Sequence, residues 1–134
     1  MSTARTMQAM SERPKSLLVG YDGSDVARRA LDTAASLLGY GSTLAVASVT
    51  TGESHSANIL LSEARERLLQ RHLTATYLPL LGDPAEKLLD AARDVDADLV
   101  VVGTRSQNGT PRPALGSVSG DLVRRAPCDV LVVR

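Results

Sequence analysis

Hydrophobic and polar positions fall into alternating blocks along the chain, and these blocks predict five strands separated by helices. The strand-like runs occupy 16–21, 43–49, 73–80, 98–103 and 129–133. The last two runs are continuous and rich in β-branched residues, as in strands that helices cover on both faces. The alternation favours an α/β fold with right-handed crossovers and an open, mostly parallel five-stranded sheet, flanked by helices on both faces.

Apolar residues recur every three or four positions between these runs, which predicts helices. The first helix follows Ser24 as its N-cap and ends before Gly39. Another follows a polar connection over 50–58, and the last covers about Ser117–Arg125.

Two prolines mark the middle of the chain. Pro79 lies near the end of the run at 73–80 and favours an edge position or a strand end, because proline cannot donate a ladder hydrogen bond. Asp83, Pro84 and Glu86 match, in order, an N-cap, a first-turn proline and a capping-box acid. A helix is therefore predicted to begin at Asp83.

Length and composition narrow the kind of domain and its partners. The chain of 134 residues fits one domain over 15–134, and residues 1–14 lack periodicity and are predicted to form a flexible tail. The absence of Phe and Trp predicts an aliphatic core, and 15 basic against 15 acidic residues exclude the charge excess that nucleic-acid binding needs.

A single cysteine, Cys128, suits a reducing compartment. Without a membrane-length apolar run or a signal peptide, we expect a cytoplasmic protein with no membrane partner.

Two segments follow strands of the predicted sheet at the edge where ligands bind in such folds. The first is the turn over 21–24, Tyr-Asp-Gly-Ser, which places a carboxylate, Asp22, after the first strand. The second is the stretch over 103–119, which leads from the fourth strand into the last helix.

The second segment has the properties of a phosphate site. Gly103 and Gly116 allow close approach to a ligand, and the amides of Ser117, Val118 and Ser119 open a helix without intrahelical acceptors. Such amides attract an anion, with the helix dipole behind them. The segment also carries further donors and cations, namely the hydroxyls of Ser117 and Ser119 with Arg105 and Arg112.

The same residues also fit a structural role. Gly103 and Gly116 are ordinary loop glycines in that interpretation, Ser117 is an N-cap, and Asp22 closes a turn. Spacing alone leaves both interpretations open.

The segments VGYDGSDVARRAL, VVGTRS and ALGSVSGDLVRRAPCDVLVVR resemble the universal stress protein family, and the resemblance covers nearly all of 15–134. Nucleotide-binding members show Gly, two residues, Gly, nine residues, then Gly with Ser or Thr. Here Gly103, Ser106 and Gly116-Ser117 keep these intervals, with Ser106 in place of one glycine. A positive φ at Ser106 would cost about 1–2 kcal/mol, whereas a negative φ would let its hydroxyl donate to a phosphate.

The resemblance implies strand order 3-2-1-4-5 and an adenine-nucleotide site for ATP, with or without Mg²⁺ or Mn²⁺. Asp22 would face adenine and ribose, and the backbone around Val49 and Val102 would border the base. The phosphates would lie against Gly103, Gly116, Ser117, Val118 and Ser119. The neighbouring residues Tyr21, Thr104, Arg105 and Ser106 complete the expected set.

The function that follows is a nucleotide-binding regulatory module in stress response, with no catalytic residue assigned. The alternative is a structural or interaction homodimer of the same fold that binds no nucleotide. An enzyme is the weakest of the three hypotheses because no Walker-type lysine follows the glycines, although slow ATP hydrolysis stays open. In either leading case the apolar run at 129–133 predicts a homodimer, because it would form an uncovered sheet edge.

Overall fold

Five strands and four helices alternate along the part of the chain that the structure, a computed structural model, describes: residues 13–52, 54–104 and 116–134. The strands are β1 (Ser16–Gly20), β2 (Thr43–Thr50), β3 (Thr76–Leu81), β4 (Leu99–Gly103) and β5 (Asp129–Val133). The helices are α1 (Asp25–Leu37), α2 (Ser54–Leu69), α3 (Pro84–Asp94) and α4 (Ser117–Arg125). The predicted element order is confirmed.

The strands form one parallel sheet in the order β3-β2-β1-β4-β5, the order that the resemblance implied. β1 lies at the centre and is short. Its pairing with β2 stops at Gly20 and Ala47, although β2 continues to Thr50. A gap therefore opens between β2 and β4 beyond the end of β1.

The core consists of aliphatic side chains on the two faces of the sheet. Leu17 and Val19 of β1 face α1 and α2, whereas Leu18 faces α3 and α4. Both faces are covered, so the strands carry apolar residues on both sides, as the continuous apolar runs predict.

Side-chain caps start two helices where the sequence predicts them. Ser24 Oγ accepts a hydrogen bond from the Ala27 amide at 3.1 Å, and the Asp83 carboxylate accepts one from the Glu86 amide at 3.0 Å. The carboxylate of Glu86 binds Arg125 of α4 at 2.8 Å. It therefore joins two helices. Among the described residues, no hydrogen bond from the Asp83 amide to the Glu86 side chain completes the predicted capping box.

One predicted helix start was wrong. α2 begins at Ser54, so most of the predicted polar connection over 50–58 is helical. Tertiary packing explains the extension, since Ala57 is completely buried (0% exposed) one turn before Leu61. α4 covers Ser117–Arg125 as predicted, and its N-cap is Gly116, with φ −67° and no side-chain cap, so the alternative interpretation of Ser117 as the N-cap is wrong.

The domain extends to residues that the sequence assigned to the tail. The Arg13 guanidinium donates to the Ser36 carbonyl at 3.0 Å, and Ser42 Oγ donates to the Pro14 carbonyl at 2.6 Å. The rest of the predicted tail, residues 1–12, lies outside the described residues. Within the described ranges, none of the helices combines the length and the apolar character needed to cross a membrane.

Candidate functional site

A cavity of about 520 Å³ lies at the carboxyl edge of the sheet, beyond the end of β1. Its size falls within the range of roughly 300–1,000 Å³ that is usual for small-molecule sites. It lies at the point where the strand order reverses, which is where open α/β sheets bind ligands.

Every predicted site residue that the structure describes lines this cavity. These residues are Tyr21, Asp22, Val49, Val102, Gly103, Thr104, Gly116, Ser117, Val118 and Ser119. Arg105, Ser106 and Arg112 lie outside the described residues. The two segments are thus brought together, with Asp22 and Gly116 on the wall of one cavity.

The edge of β2 presents to the cavity a backbone donor and acceptor that bond to none of the described residues. The Gly82 amide donates to the Thr50 carbonyl at 2.9 Å, so Thr50 faces β3. Backbone groups of successive residues point to opposite sides of a strand, so the amide and carbonyl of Val49 face the β1 side. On that side, the last hydrogen bond between the β1 segment and β2 runs from the Tyr21 amide to the Ala47 carbonyl at 2.8 Å. The Val49 groups therefore point into the gap beyond it.

Asp22 holds a tight turn as well as facing the cavity. Its Oδ1 accepts hydrogen bonds from the Ser24 amide at 3.0 Å and from the Ser24 hydroxyl at 2.6 Å. Gly23 takes φ +82°, and the Arg28 guanidinium donates to its carbonyl at 2.7 Å. Asp22 is exposed, and no described residue donates to its Oδ2. Its structural and ligand-facing interpretations are therefore compatible.

Tyr21 contributes its backbone to the cavity and its side chain to the opposite face. The side chain is only 3% exposed and packs with the α1–α2 core. Its hydroxyl donates to Glu63 Oε1 at 3.3 Å. Burial first, and then the negative charge of Glu63, raise the pKa of this phenol above its usual value. Tyr21 therefore anchors the turn on the side away from the cavity.

The first turn of α4 presents backbone amides at the other wall. The Gly116 amide donates to the Thr104 carbonyl at 3.0 Å, and the bond that begins the helix runs from the Gly120 amide to the Gly116 carbonyl at 2.8 Å. The amides over 117–119 precede that bond and lack an acceptor within the helix. With the dipole of α4 behind them, they attract anions.

The Ser119 hydroxyl is turned away from the role predicted for it. It is 1% exposed and lies 3.3 Å from the Thr104 carbonyl and 3.2 Å from the Gly116 carbonyl, to which it donates. It therefore stabilises the junction between β4 and α4, and its amide remains as the group directed to an anion.

Two glycines shape the cavity through protein packing. A Cβ on Gly103 would lie 2.6 Å from Val26 Cγ1 and 3.2 Å from the Val26 carbonyl carbon, so this glycine lets α1 approach the end of β4. A Cβ on Gly20 would lie 3.1 Å from side-chain carbons of Leu88 and Val102. Gly103 thus has a packing role, and its predicted closeness to a ligand stays a prediction.

Sequence reasoning missed several lining residues. They are Gly20, Val26, Ala27, Ala47, Pro84 and Leu88. Pro84 and Leu88 come from α3, which the sequence treats only as a covering helix. The signal that was available is Gly20, a glycine at the end of an otherwise apolar strand, where it allows neighbouring chains to approach.

An open parallel sheet with a cavity at its reversal point, entered by the amino end of a helix, defines a doubly wound α/β domain. The sequence profile of the universal stress protein family matches residues 14–134. The chain belongs to this family.

Individual relatives agree over nearly the whole chain. A universal stress protein of Thermus aquaticus is 36% identical over 135 residues, which cover 90% of this chain and 98% of the relative. One from Mycobacterium tuberculosis is 32% identical over 139 residues, with 89% and 95% covered. A crystal structure of a universal stress protein in complex with cAMP superposes with a TM-score of 0.76 at 31% identity, covering 92% and 98% of the two chains.

Proposed function

We propose that this protein binds an adenine nucleotide, with ATP as the expected ligand, and that occupancy of the site regulates it in stress response. One observation carries the proposal. The Val49 backbone pair, the Asp22 carboxylate and the amides that open α4 all line a single cavity. A nucleotide offers a base edge, a sugar and phosphates, which require these three kinds of partner.

The Val49 edge matches adenine. Its free amide complements the ring acceptor N1, and its free carbonyl complements the N6 amino donor. Leu88 and Val102 supply apolar side chains on the α3–α4 side of the sheet. A base that carries an oxygen at position 6 would place two acceptors against each other at the Val49 carbonyl, so the site favours adenine.

The sugar and the phosphates have partners on the remaining walls. Asp22 Oδ2 is available to a ribose hydroxyl, and the amides over 117–119 are available to phosphoryl oxygens. Arg105 and Ser106 stay predictions as further phosphate contacts, as does a Mg²⁺ or Mn²⁺ ion beside the phosphates. The complex of a related protein with cAMP supports an adenine nucleotide here.

We infer a regulatory binding module rather than a dedicated enzyme. Among the described residues that line the cavity, Asp22 supplies the titratable carboxylate, and the other polar partners are backbone amides, carbonyls and hydroxyls. Such groups bind and orient a ligand. Cytoplasmic localisation stays a prediction from the sequence.

Identifying what the protein carries tests the proposal. Freshly purified protein is denatured, the released small molecules are identified by mass spectrometry, and nucleotide-free protein is titrated calorimetrically with ATP, AMP, cAMP and GTP. We expect an adenine nucleotide in the first experiment and preference for adenine over guanine in the second. Neither released nucleotide nor binding heat would overturn the proposal in favour of the interaction homodimer.

A homodimer through β5 is a second proposal, which a separate observation favours. The two edges of the sheet differ, since β3 carries Pro79 whereas β5, DVLVV, carries no proline or bulky charge beyond Asp129. All five residues of β5 are only partly buried. Pairing with a second copy would cover this edge and continue both core faces. Sedimentation velocity at micromolar concentration tests this, and a monomer there would contradict it.

A further inference from the structure

We propose that Ser48 is a positioning residue of the site: its hydroxyl occupies the Tyr21 carbonyl and so keeps the Val49 amide free for a ligand. This inference rests on the proposed function for its purpose, but the backbone arrangement that it describes can be measured without any nucleotide.

Ser48 is a polar residue in an apolar layer. It is 0% exposed, and in the described part of the chain the only other buried polar residue is Ser119. Its Oγ donates to the Tyr21 carbonyl at 2.6 Å. A hydroxyl at such a position needs a partner to offset its burial, and the carbonyl at the end of β1 supplies it.

This bond matters because the Tyr21 carbonyl lies where the ladder between β1 and β2 ends. In a parallel ladder, the bond from the Tyr21 amide to the Ala47 carbonyl is followed by one from the Val49 amide to the Tyr21 carbonyl. The first is present at 2.8 Å, but the ladder ends there, with Gly20 and Ala47 as the last pair. At the Tyr21 carbonyl, Ser48 Oγ donates in the place of the Val49 amide.

Two features of the site follow when the Ser48 hydroxyl, and not the Val49 amide, donates to the Tyr21 carbonyl. The Val49 amide stays unbonded and faces the cavity, since no described residue accepts a hydrogen bond from it. The chain also leaves β1 at Tyr21, so that Asp22 and Ser24 form their turn instead of extending the strand. One hydroxyl thereby ends the central strand and opens the place where a base would bind.

Removing the hydroxyl would restore the ladder. In Ser48→Ala the Tyr21 carbonyl loses its donor, and the nearest group able to replace it is the Val49 amide. The variant would extend β1 by one bond and remove the donor that adenine requires. The loss of one such hydrogen bond corresponds to roughly a 3- to 10-fold weaker affinity.

Hydrogen exchange in nucleotide-free protein, followed amide by amide by NMR, tests the arrangement directly. In the wild type we expect fast exchange at Val49 and slow exchange at Ala47, which is paired. In Ser48→Ala we expect slower exchange at Val49, because a new bond protects it. Ser48→Thr keeps the hydroxyl and should exchange as the wild type does. If Ser48 only stabilised the fold, the Val49 amide would exchange faster in Ser48→Ala than in the wild type.

Ser16→Ala is the matched control. Ser16 Oγ also donates to a backbone carbonyl, that of Val95 at 3.0 Å, but at the other end of β1. Calorimetry should show AMP affinity reduced roughly 3- to 10-fold in Ser48→Ala and unchanged in Ser16→Ala.

The possible results separate the two proposals. A protected Val49 amide in the wild type, or unchanged or faster exchange in Ser48→Ala, overturns the role of Ser48; the wild-type measurement decides even if the variant fails to fold. If the wild type shows the expected exchange pattern but binds no nucleotide, the proposed function fails and the role of Ser48 in ending the strand stands. If Ser16→Ala lost as much AMP affinity as Ser48→Ala, the loss would reflect general destabilisation, and the positioning role of Ser48 would be overturned.

Discussion

The Thr104 carbonyl accepts a hydrogen bond from the Gly116 amide at 3.0 Å, which holds the first turn of α4 at the end of β4. The Thr104 amide in turn donates to the Val133 carbonyl of β5 at 2.8 Å. One residue thus ties together the two strands and the helix at the cavity. The amides that open α4 are therefore positioned by strand backbone.

Gly116→Asp should affect stability and binding in opposite directions. Gly116 is an N-cap with extended backbone and no capping side chain, so an aspartate there would cap the helix and raise the free energy of unfolding by a few tenths to about 1 kcal/mol. The same carboxylate would occupy the amides over 117–119 and repel phosphate, so ATP affinity should fall about tenfold or more. Urea unfolding and calorimetry measure the two effects. Gly116→Ala controls for the added Cβ, and unchanged ATP binding in Gly116→Asp would contradict the phosphate assignment.

Gly103→Ala should destabilise the domain before any ligand is considered. Its Cβ would meet Val26 Cγ1 at 2.6 Å, so α1 would have to shift, and overpacking of this kind costs about 1–3 kcal/mol. The free energy of unfolding from urea titration measures the loss. Gly52→Ala is the matched control, because nothing lies within 4 Å of its added Cβ. Equal stability of the two variants would show that β4 and α1 are not packed as described.

Asp32 makes the stability of the α1–α2 contact depend on pH. Arg67 donates to both oxygens of this carboxylate, at 2.9 and 2.8 Å, and these bonds, together with the charges of Arg67 and Arg71, lower the pKa of Asp32. A carboxyl whose pKa is lower in the folded state stabilises the fold above its unfolded-state pKa of about 3.9, and this contribution is lost as the pH falls through the folded-state value.

Asp32→Asn should therefore lower the free energy of unfolding at pH 7, by about 0.2–1 kcal/mol because the pair is partly exposed. The difference from the wild type should shrink below about pH 4. Urea unfolding across pH measures both curves. Asp90→Asn serves as a control, since its ion pair with Arg93 is more than half exposed. A difference that stays constant down to acid pH would contradict the assignment.

Val132→Pro should separate the proposed dimer without opening the sheet. The Val133 carbonyl bonds to Thr104 of the loop after β4, so Val133 faces β4 and the alternation turns the Val132 amide outward. Proline at 132 removes this outward donor and leaves the bonds to β4 in place. Sedimentation velocity should show a monomer, with Val132→Ala still dimeric. A wild-type monomer, or a dimeric Val132→Pro, would contradict pairing through β5.

Local patterns were sufficient for the element order and for the starts of three of the four described helices. Ser24 and Asp83 cap helices through bonds to amides three residues away, and such short-range chemistry is visible in the sequence. The start of α2 was missed because the burial of Ala57, which extends the helix, depends on packing against a sheet formed by distant segments. The positions of Gly103 and Gly116 in the sequence indicated a segment that lines the cavity, but they could not reveal that Gly103 faces Val26.

The sequence by itself determined the fold and the segments that line the cavity. It did so through the alternation of strands and helices, the capping residues and the family pattern. Those features depend on neighbours a few positions apart or on spacing along the chain. Three-dimensional packing alone decided that the Ser48 hydroxyl takes the Tyr21 carbonyl, that the Ser119 hydroxyl turns inward and that the Val49 amide stays open. Such choices are made between groups on adjacent strands, where a difference of one hydrogen bond selects among alternatives that the sequence leaves equal.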